Sequence, residues 1–192
     1  MTRWVARTKL LSVVAGLGLL TVATAGYRLS DPEDFAVVRG DLGAPAAYAD
    51  GVVVVDDVRV GTVLLTSTEE RVTTPGMFVV VRVAVQANGR EALPVNHLQL
   101  LADGATYLPG EDESLRPAPG FEESRDVRFE VDPAHIDDLT LEAWGTQGFV
   151  EGYSDHVRVP LGITPDNADA WRRAAQGAQV DYVISSVERG LG

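Results

Sequence analysis

FVVVRVAVQAN, residues 78–88, is the stretch whose reading decides the fold. In an extended chain, successive side chains point to opposite faces. Val79, Val81, Val83, Val85 and Ala87 then share one face. Phe78, Val80, Arg82, Ala84, Gln86 and Asn88 share the other. The odd set is a continuous apolar stripe. The even set begins apolar and turns polar, so the strand starts buried on both sides and ends with one face wet. A helix is disfavoured, because β-branched valines lose χ1 freedom against the preceding turn. Each buried valine contributes roughly 1.5–3 kcal/mol, a large gross term beside a net domain stability of ~5–15 kcal/mol. On this reading Val81→Asp unfolds the domain. Arg82→Asp is expected to be far milder, because its face is turning to solvent.

Flanking segments repeat the pattern. Residues 52–60, VVVVDDVRV, read as an earlier strand with Val52, Val54, Val58 and Val60 as a core face interrupted by Asp56. Val63, Leu64 and Leu65 extend it past a bulge. Pro75-Gly76 reads as a turn before the central strand, and Asn88-Gly89 as the turn closing it. Residues 98–101 and 105–107 form a hairpin across Asp103-Gly104. Three later runs alternate with polar neighbours as half-buried strands. They are Val127, Phe129 and Val131, then Leu139, Leu141 and Ala143, then Val157, Val159 and Leu161. Six or seven short strands separated by turn signals make an all-β, two-sheet sandwich.

The ends differ in character. Residues 10–27 are uncharged and follow Arg3, Arg7 and Lys9, which keeps the N-terminus cytoplasmic and sends the remainder across a membrane. The length suits a spanning helix, flanked by Trp4 and Tyr27 as interfacial aromatics. Ala23-Thr24-Ala25 also suits signal cleavage after Ala25. An uncleaved anchor is favoured, and a cleaved signal peptide is the alternative. Residues 28–50 hold Pro32, Gly40, Gly43 and Pro45 without a sustained period and read as a linker. Near the other end, Thr164 caps a short helix with Pro165 at its first position. Ala168, Trp171 and Ala175 share one face, and Gly177 stops the helix. Residues 180–187 form a further strand whose place, in the sheet or free, stays open. The resulting division is 1–27 signal anchor or signal peptide, 28–50 linker, 51–162 sandwich, and 163–192 helix and tail.

Composition bounds the chemistry. The chain has 192 residues and no cysteine, so it has no disulfide framework, thiolate nucleophile or Cys-ligated metal. Beyond Arg28, twelve arginines face twenty-eight acids, a net of −16. Such a surface repels nucleic acid, whose binding needs clustered cations. His97, His135 and His156 show no zinc-ligand spacing, and no serine lies in a G-x-S-x-G elbow. Glu111-Asp112-Glu113 and Asp56-Asp57 are acidic clusters without the spacing of a calcium loop. Trp144 and Trp171 read as core packing or as an aromatic contact surface. No catalytic, cofactor-binding or metal-ligating residues are assigned, and no cofactor is expected. Two loops, 108–122 and 145–152, are the expected contact surfaces, because loops on a rigid scaffold carry recognition.

Residues 52–161 resemble the telokin-like, immunoglobulin-like domain of unknown function found in bacterial lipoproteins and anchored envelope proteins. The resemblance rests on GMFVVVRVAV at 76–85 with Asn88-Gly89, LLADGATY at 100–107, and VRFEV at 127–131. The chain departs from it in lacking a lipobox cysteine and in adding a C-terminal helix. Tyr27-Arg28 at the membrane exit resembles small actinobacterial anchored proteins. The resemblance implies an immunoglobulin-like β-sandwich outside the cytoplasm and supplies no catalytic residues. The expected function is that of a non-catalytic, membrane-anchored interaction or accessory module of the cell envelope, with a protein partner. The alternatives are a secreted binding domain, or a calcium-dependent carbohydrate-binding or hydrolytic envelope protein.

Overall fold

The computed structural model describes residues 35–102, 104–110, 113–146, 155–183 and 185–191. In chain order the strands begin with β1 (Val37–Arg39), β2 (Pro45–Tyr48), β3 (Gly51–Thr66) and β4 (Arg71–Ala87). Then come β5 (His97–Ala102), β6 (Ala105–Tyr107), β7 (Phe121–Val131), β8 (Thr140–Trp144) and β9 (His156–Pro160). A helix α1 (Ala168–Ala175) precedes β10 (Gln179–Tyr182) and β11 (Val187–Gly190). The larger sheet runs β10-β3-β4-β7-β11, with β2 also paired to β3. The smaller runs β1-β9-β8-β5-β6.

The valine stripe is the centre of this arrangement. Val79, Val81, Val83 and Val85 are all 0% exposed. They share one apolar cluster with Val127 and Phe129 of β7 and with Leu100, Leu141, Val157 and Val159 of the smaller sheet. Two sheets meeting over one core make a β-sandwich. Ala168 and Ala175 of α1 join the same core, with Trp171 packed against it. The opposite face of β4 starts buried at Phe78 and Val80, which enter a second cluster with Leu64, Val180 and Tyr182.

The first long strand differs from its expected facing. Val53 and Val55 are the fully buried pair, not Val52 and Val54. The β3–β4 register shifts between Val55 and Asp57. That bulge swaps the faces, so Val58 and Val60 pack on the core while Asp56 stays outside. A second shift lies between Gly61 and Val63, opposite the stretch holding Pro75 and Gly76. Pro75-Gly76 is therefore not a turn but an irregularity inside β4, where a missing N–H is tolerated. The actual turn lies at Ser67 and Thr68.

The linker and the tail are also corrected. Residues 1–34, which hold the expected membrane segment, lie outside the described residues. Residues 35–50 are not free linker. β1 pairs parallel to β9, β2 pairs antiparallel to β3, and Ala46 and Tyr48 are buried. The segment carries consecutive apolar residues, Phe35 to Val38 and Ala44 to Ala49, broken by Gly40, Gly43 and Pro45, so its two short strands show no sustained alternation. The helix starts three residues beyond Pro165, after a turn in which the Asn167 and Ala168 N–H groups donate to the Thr164 carbonyl. Gly177 follows it with φ +71°, a left-handed position that suits glycine. Strand β10 joins the sheet parallel to β3, and β11 pairs antiparallel to β7.

Candidate functional site

Two polar constellations lie on the outer faces of the sandwich. On the smaller sheet, Phe35, His156, Trp144 and His97 form one stack of rings. Successive centroids lie 3.5, 4.4 and 4.9 Å apart, with planes within 14°. The ladder dictates this order. His97 sits directly opposite Trp144, and pairing of Ala143 with Val157 brings His156 alongside.

Glu142 lies in the next row, opposite Gln99 and Arg158. Its Oε1 accepts from Arg158 Nε at 2.7 Å and lies 3.1 Å from His156 Nδ1. Its Oε2 accepts from Gln99 Nε2 at 2.5 Å. Burial alone raises the Glu142 pKa, but the bonds from Gln99, Arg158 and His156 outweigh it and hold the group below its ordinary value. Chemically the face is closed. Both faces of Trp144 are covered by histidines, so it offers no platform for a sugar ring. The indole between His97 and His156 also keeps them from converging on one ion.

On the larger sheet the organising group is Asp126, 0% exposed on β7. Arg82 Nε donates to its Oδ1 at 3.0 Å, and Arg59 Nη2 lies 2.8 Å from the same oxygen. Arg59 also pairs with Asp57 through Nε at 2.7 Å. These two Arg59 contacts are close ion pairs rather than well-aligned hydrogen bonds. The Val183 N–H donates to Asp126 Oδ2 at 3.3 Å, and Arg59 Nη1 donates to the Asp181 carbonyl at 2.6 Å. Burial pushes the Asp126 pKa up, yet Arg59 and Arg82 more than offset this and hold it down.

Nearby, the Tyr182 O–H donates to Glu113 Oε1 at 2.7 Å, with the Arg128 guanidinium 5.4 Å from the tyrosine ring centre. Burial dominates at Glu113 and raises its pKa. The segment around β10 is thus tied to the outer face of the larger sheet by two carboxylates with opposite tendencies. Asp126 and Glu142 stabilise the fold above the unfolded carboxylate range near pH 4 and lose that contribution as pH falls through their depressed values. Glu113 contributes below that range and loses its share as pH rises through its elevated value. Glu113→Gln mimics the neutral acid. Its melting temperature relative to the unsubstituted chain should therefore rise from pH 4 to pH 8. A thermal-denaturation series in which that difference stays flat contradicts the assignment.

The residues singled out by sequence are scattered. His135 is exposed in the 3-10 turn Pro133–His135, and only His97 and His156 come close, separated by Trp144. Asp56 is exposed, and Asp57 serves Arg59. Of the acidic triplet, Glu111 and Asp112 lie outside the described residues and Glu113 points inward. The loop at 108–122 is not free. Leu115 exchanges backbone bonds of 2.8 and 2.9 Å with Val95, and residues from Phe121 onward belong to β7. Of the loop at 145–152, residues 147–152 are outside the described residues.

Among the described residues no group of three or more His, Cys, Asp or Glu is placed to hold a metal ion. The expectation from sequence that no metal is bound is checked by the melting temperature, which should be the same in EDTA and in added Ca²⁺; a reproducible shift between the two contradicts it. An open hollow of about 560 Å³ beside Asp50, Asn88, Gly89, Arg90 and Glu91 brings together no convergent chemistry. More telling is where large apolar side chains are exposed. Phe121 belongs to β7, Val187 to the strand paired with it, and Val183 is bonded to Asp126. Leu108, 69% exposed, precedes Pro109, which bridges to Phe129. Four exposed apolar residues therefore border one strand.

No family model and no curated protein matches the chain. Among solved structures it is similar to an uncharacterised β-sandwich protein from Clostridium difficile 630, with 11% identity and a TM-score of 0.40 over 68% of this chain and 98% of that one. It is also similar to the yjhA protein from Bacillus subtilis, with 10% identity and a TM-score of 0.41 over 79% of this chain and 98% of that one. The sandwich described above rests on the strand pairing and the shared core of this chain itself.

Proposed function

We propose that the chain is a non-catalytic interaction module, held at the membrane by residues 10–27 and presenting an immunoglobulin-like sandwich outside the cytoplasm. The observation that carries the interaction role is the line of exposed apolar side chains along β7, Leu108, Phe121, Val183 and Val187. Apolar side chains left exposed beside one sheet edge give a partner something to bury there. Anchoring is supported by sequence, through the uncharged run behind Arg3, Arg7 and Lys9. Among the described residues, no helix is long and apolar enough to cross a membrane, and the segment in question lies outside them. The non-catalytic reading is supported by the way Glu142 and Asp126 are engaged by fixed scaffold partners. The telokin-like and actinobacterial assignments belong to this proposal as well, on the motifs at 76–89, 100–107 and 127–131.

Labelling of intact cells tests it. The chain has no cysteine, so Leu42→Cys, at an exposed position, gives one reporter thiol. A membrane-impermeant maleimide should label it in intact spheroplasts, with the full chain in the carbonate-washed membrane pellet and Met1 retained. Labelling only after lysis contradicts the outside location. Gly26 as the mature N-terminus contradicts the anchor and favours the secreted alternative.

A further inference from the structure

Strand β11 contributes to neither apolar cluster, and all four of its residues are exposed. It is held by the backbone ladder from Val187 opposite Ser124 to Gly190 opposite Phe121. The Leu191 N–H adds a bond of 2.8 Å to the Gly120 carbonyl. A side-chain contact adds to the hold, Arg189 Nε to Glu122 Oε1 at 2.7 Å. The receiving side is built differently. Glu122 is 6% exposed, and its Oε2 is fixed by Gln86 Nε2 at 2.6 Å. A loosely held donor strand thus sits on a rigid acceptor whose buried carboxylate takes its cation from that strand.

Segments with few buried apolar contacts open at the low end of a protein's free-energy scale. When β11 lifts away, β7 presents unpaired N–H and C=O groups and a Glu122 without its arginine. Such an edge is a template for another strand.

We propose that this edge of β7 is a strand-exchange site, filled by Val187–Gly190 of a second copy of the chain. The second copy is the occupant whose register and cation this structure already displays. Every bond made within one chain is remade between two, which makes exchange of an identical element a low-cost route to a dimer. Each copy both gives and receives, so the contact is isologous and closes as a pair. Only four residues, 183–186, separate β11 from the anchored β10, so the exchanging element is the strand itself. The inference rests on the interaction reading above but not on membrane attachment, which fractionation reports separately.

Cysteine pairing in the full chain tests this. Ser124 and Val187 are direct cross-strand partners. Their Cα atoms fall in the ~4.5–5.5 Å range of an antiparallel pair, within disulfide reach. A tagged Ser124→Cys chain and a differently tagged Val187→Cys chain are co-expressed and mildly oxidised. The expected result is a covalent dimer carrying both tags and cleaved by reductant. Adding Arg189→Glu to the Val187→Cys chain should abolish it, and Leu42→Cys in place of Val187→Cys should give none. A chain carrying both cysteines reports docking within one molecule. Exclusive closure within that chain, with no mixed-tag dimer, overturns the proposal. So does a complete lack of disulfides of either kind, or a mixed-tag band that persists with Arg189→Glu or with Leu42→Cys.

Discussion

Val81→Asp leaves the chain unable to fold. Val81 is 0% exposed, stands between Val58 of β3 and Val127 of β7 in the ladder, and faces the smaller sheet. A carboxylate there meets only apolar neighbours, and an unpaired buried charge costs several kcal/mol or forces the group to take up a proton. Removing the valine's own burial contributes roughly 1.5–3 kcal/mol more. Together these reach the ~5–15 kcal/mol that holds an ordinary domain. Far-UV circular dichroism and urea denaturation of the full chain should show no cooperative transition. Val81→Ala should fold, with a loss of roughly 2 kcal/mol from the cavity it leaves. A Val81→Asp protein that unfolds at the same urea midpoint as the unsubstituted chain contradicts the facing of β4.

Arg82→Asp is expected to be milder than Val81→Asp, as its outward facing implies, but costlier than facing alone suggests. Arg82 is half exposed, as its parity suggests, but its guanidinium lies on the fully buried Asp126. An aspartate at 82 sets a second carboxylate against that one and leaves Arg59 to serve both. Like charges in a partly desolvated site disfavour ionisation of one of them. The expected loss is roughly 3 kcal/mol at neutral pH, against roughly 1 kcal/mol for Arg82→Ala, which removes a cation without adding an anion. The gap should narrow below about pH 5, as one of the two acids takes up a proton. Urea midpoints of the two variants at pH 7.5 and pH 4.5 check both parts. Equal midpoints at pH 7.5 contradict the Asp126 assignment.

The Arg82 case shows where sequence reading reaches its limit. Period-2 alternation was enough to place Val79, Val81, Val83 and Val85 inside, and likewise Phe129, Leu141 and Val159. Alternation says which face a residue occupies, not what stands across from it on the next strand. Asp126 and Arg82 lie 44 residues apart, and only the β4–β7 register makes them partners. The same holds for the ring stack. His97, Trp144 and His156 all fall at outward positions of strands legible from their inward residues. A listing of those outward positions, row by row, was the available signal. Their stacking still depends on the order β9-β8-β5, which the sequence does not carry. The bulge at Asp56 defeated the facing of Val52 and Val54, because one extra residue reverses every side chain before it. Strands β1 and β2 escaped because each is only three or four residues long and leans on a partner far along the chain.

Both the core and the exchange site depend on an uneven distribution of stability, with β4 locked between β3 and β7 and β11 held mainly by its backbone. Native-state hydrogen exchange on the full chain measures this residue by residue. Amides of residues 79–85 should exchange only through global unfolding, with the slowest rates in the molecule. Amides at 187–190 should exchange through local opening, orders of magnitude faster. Equal protection of the two segments, or faster exchange at 79–85, contradicts the account.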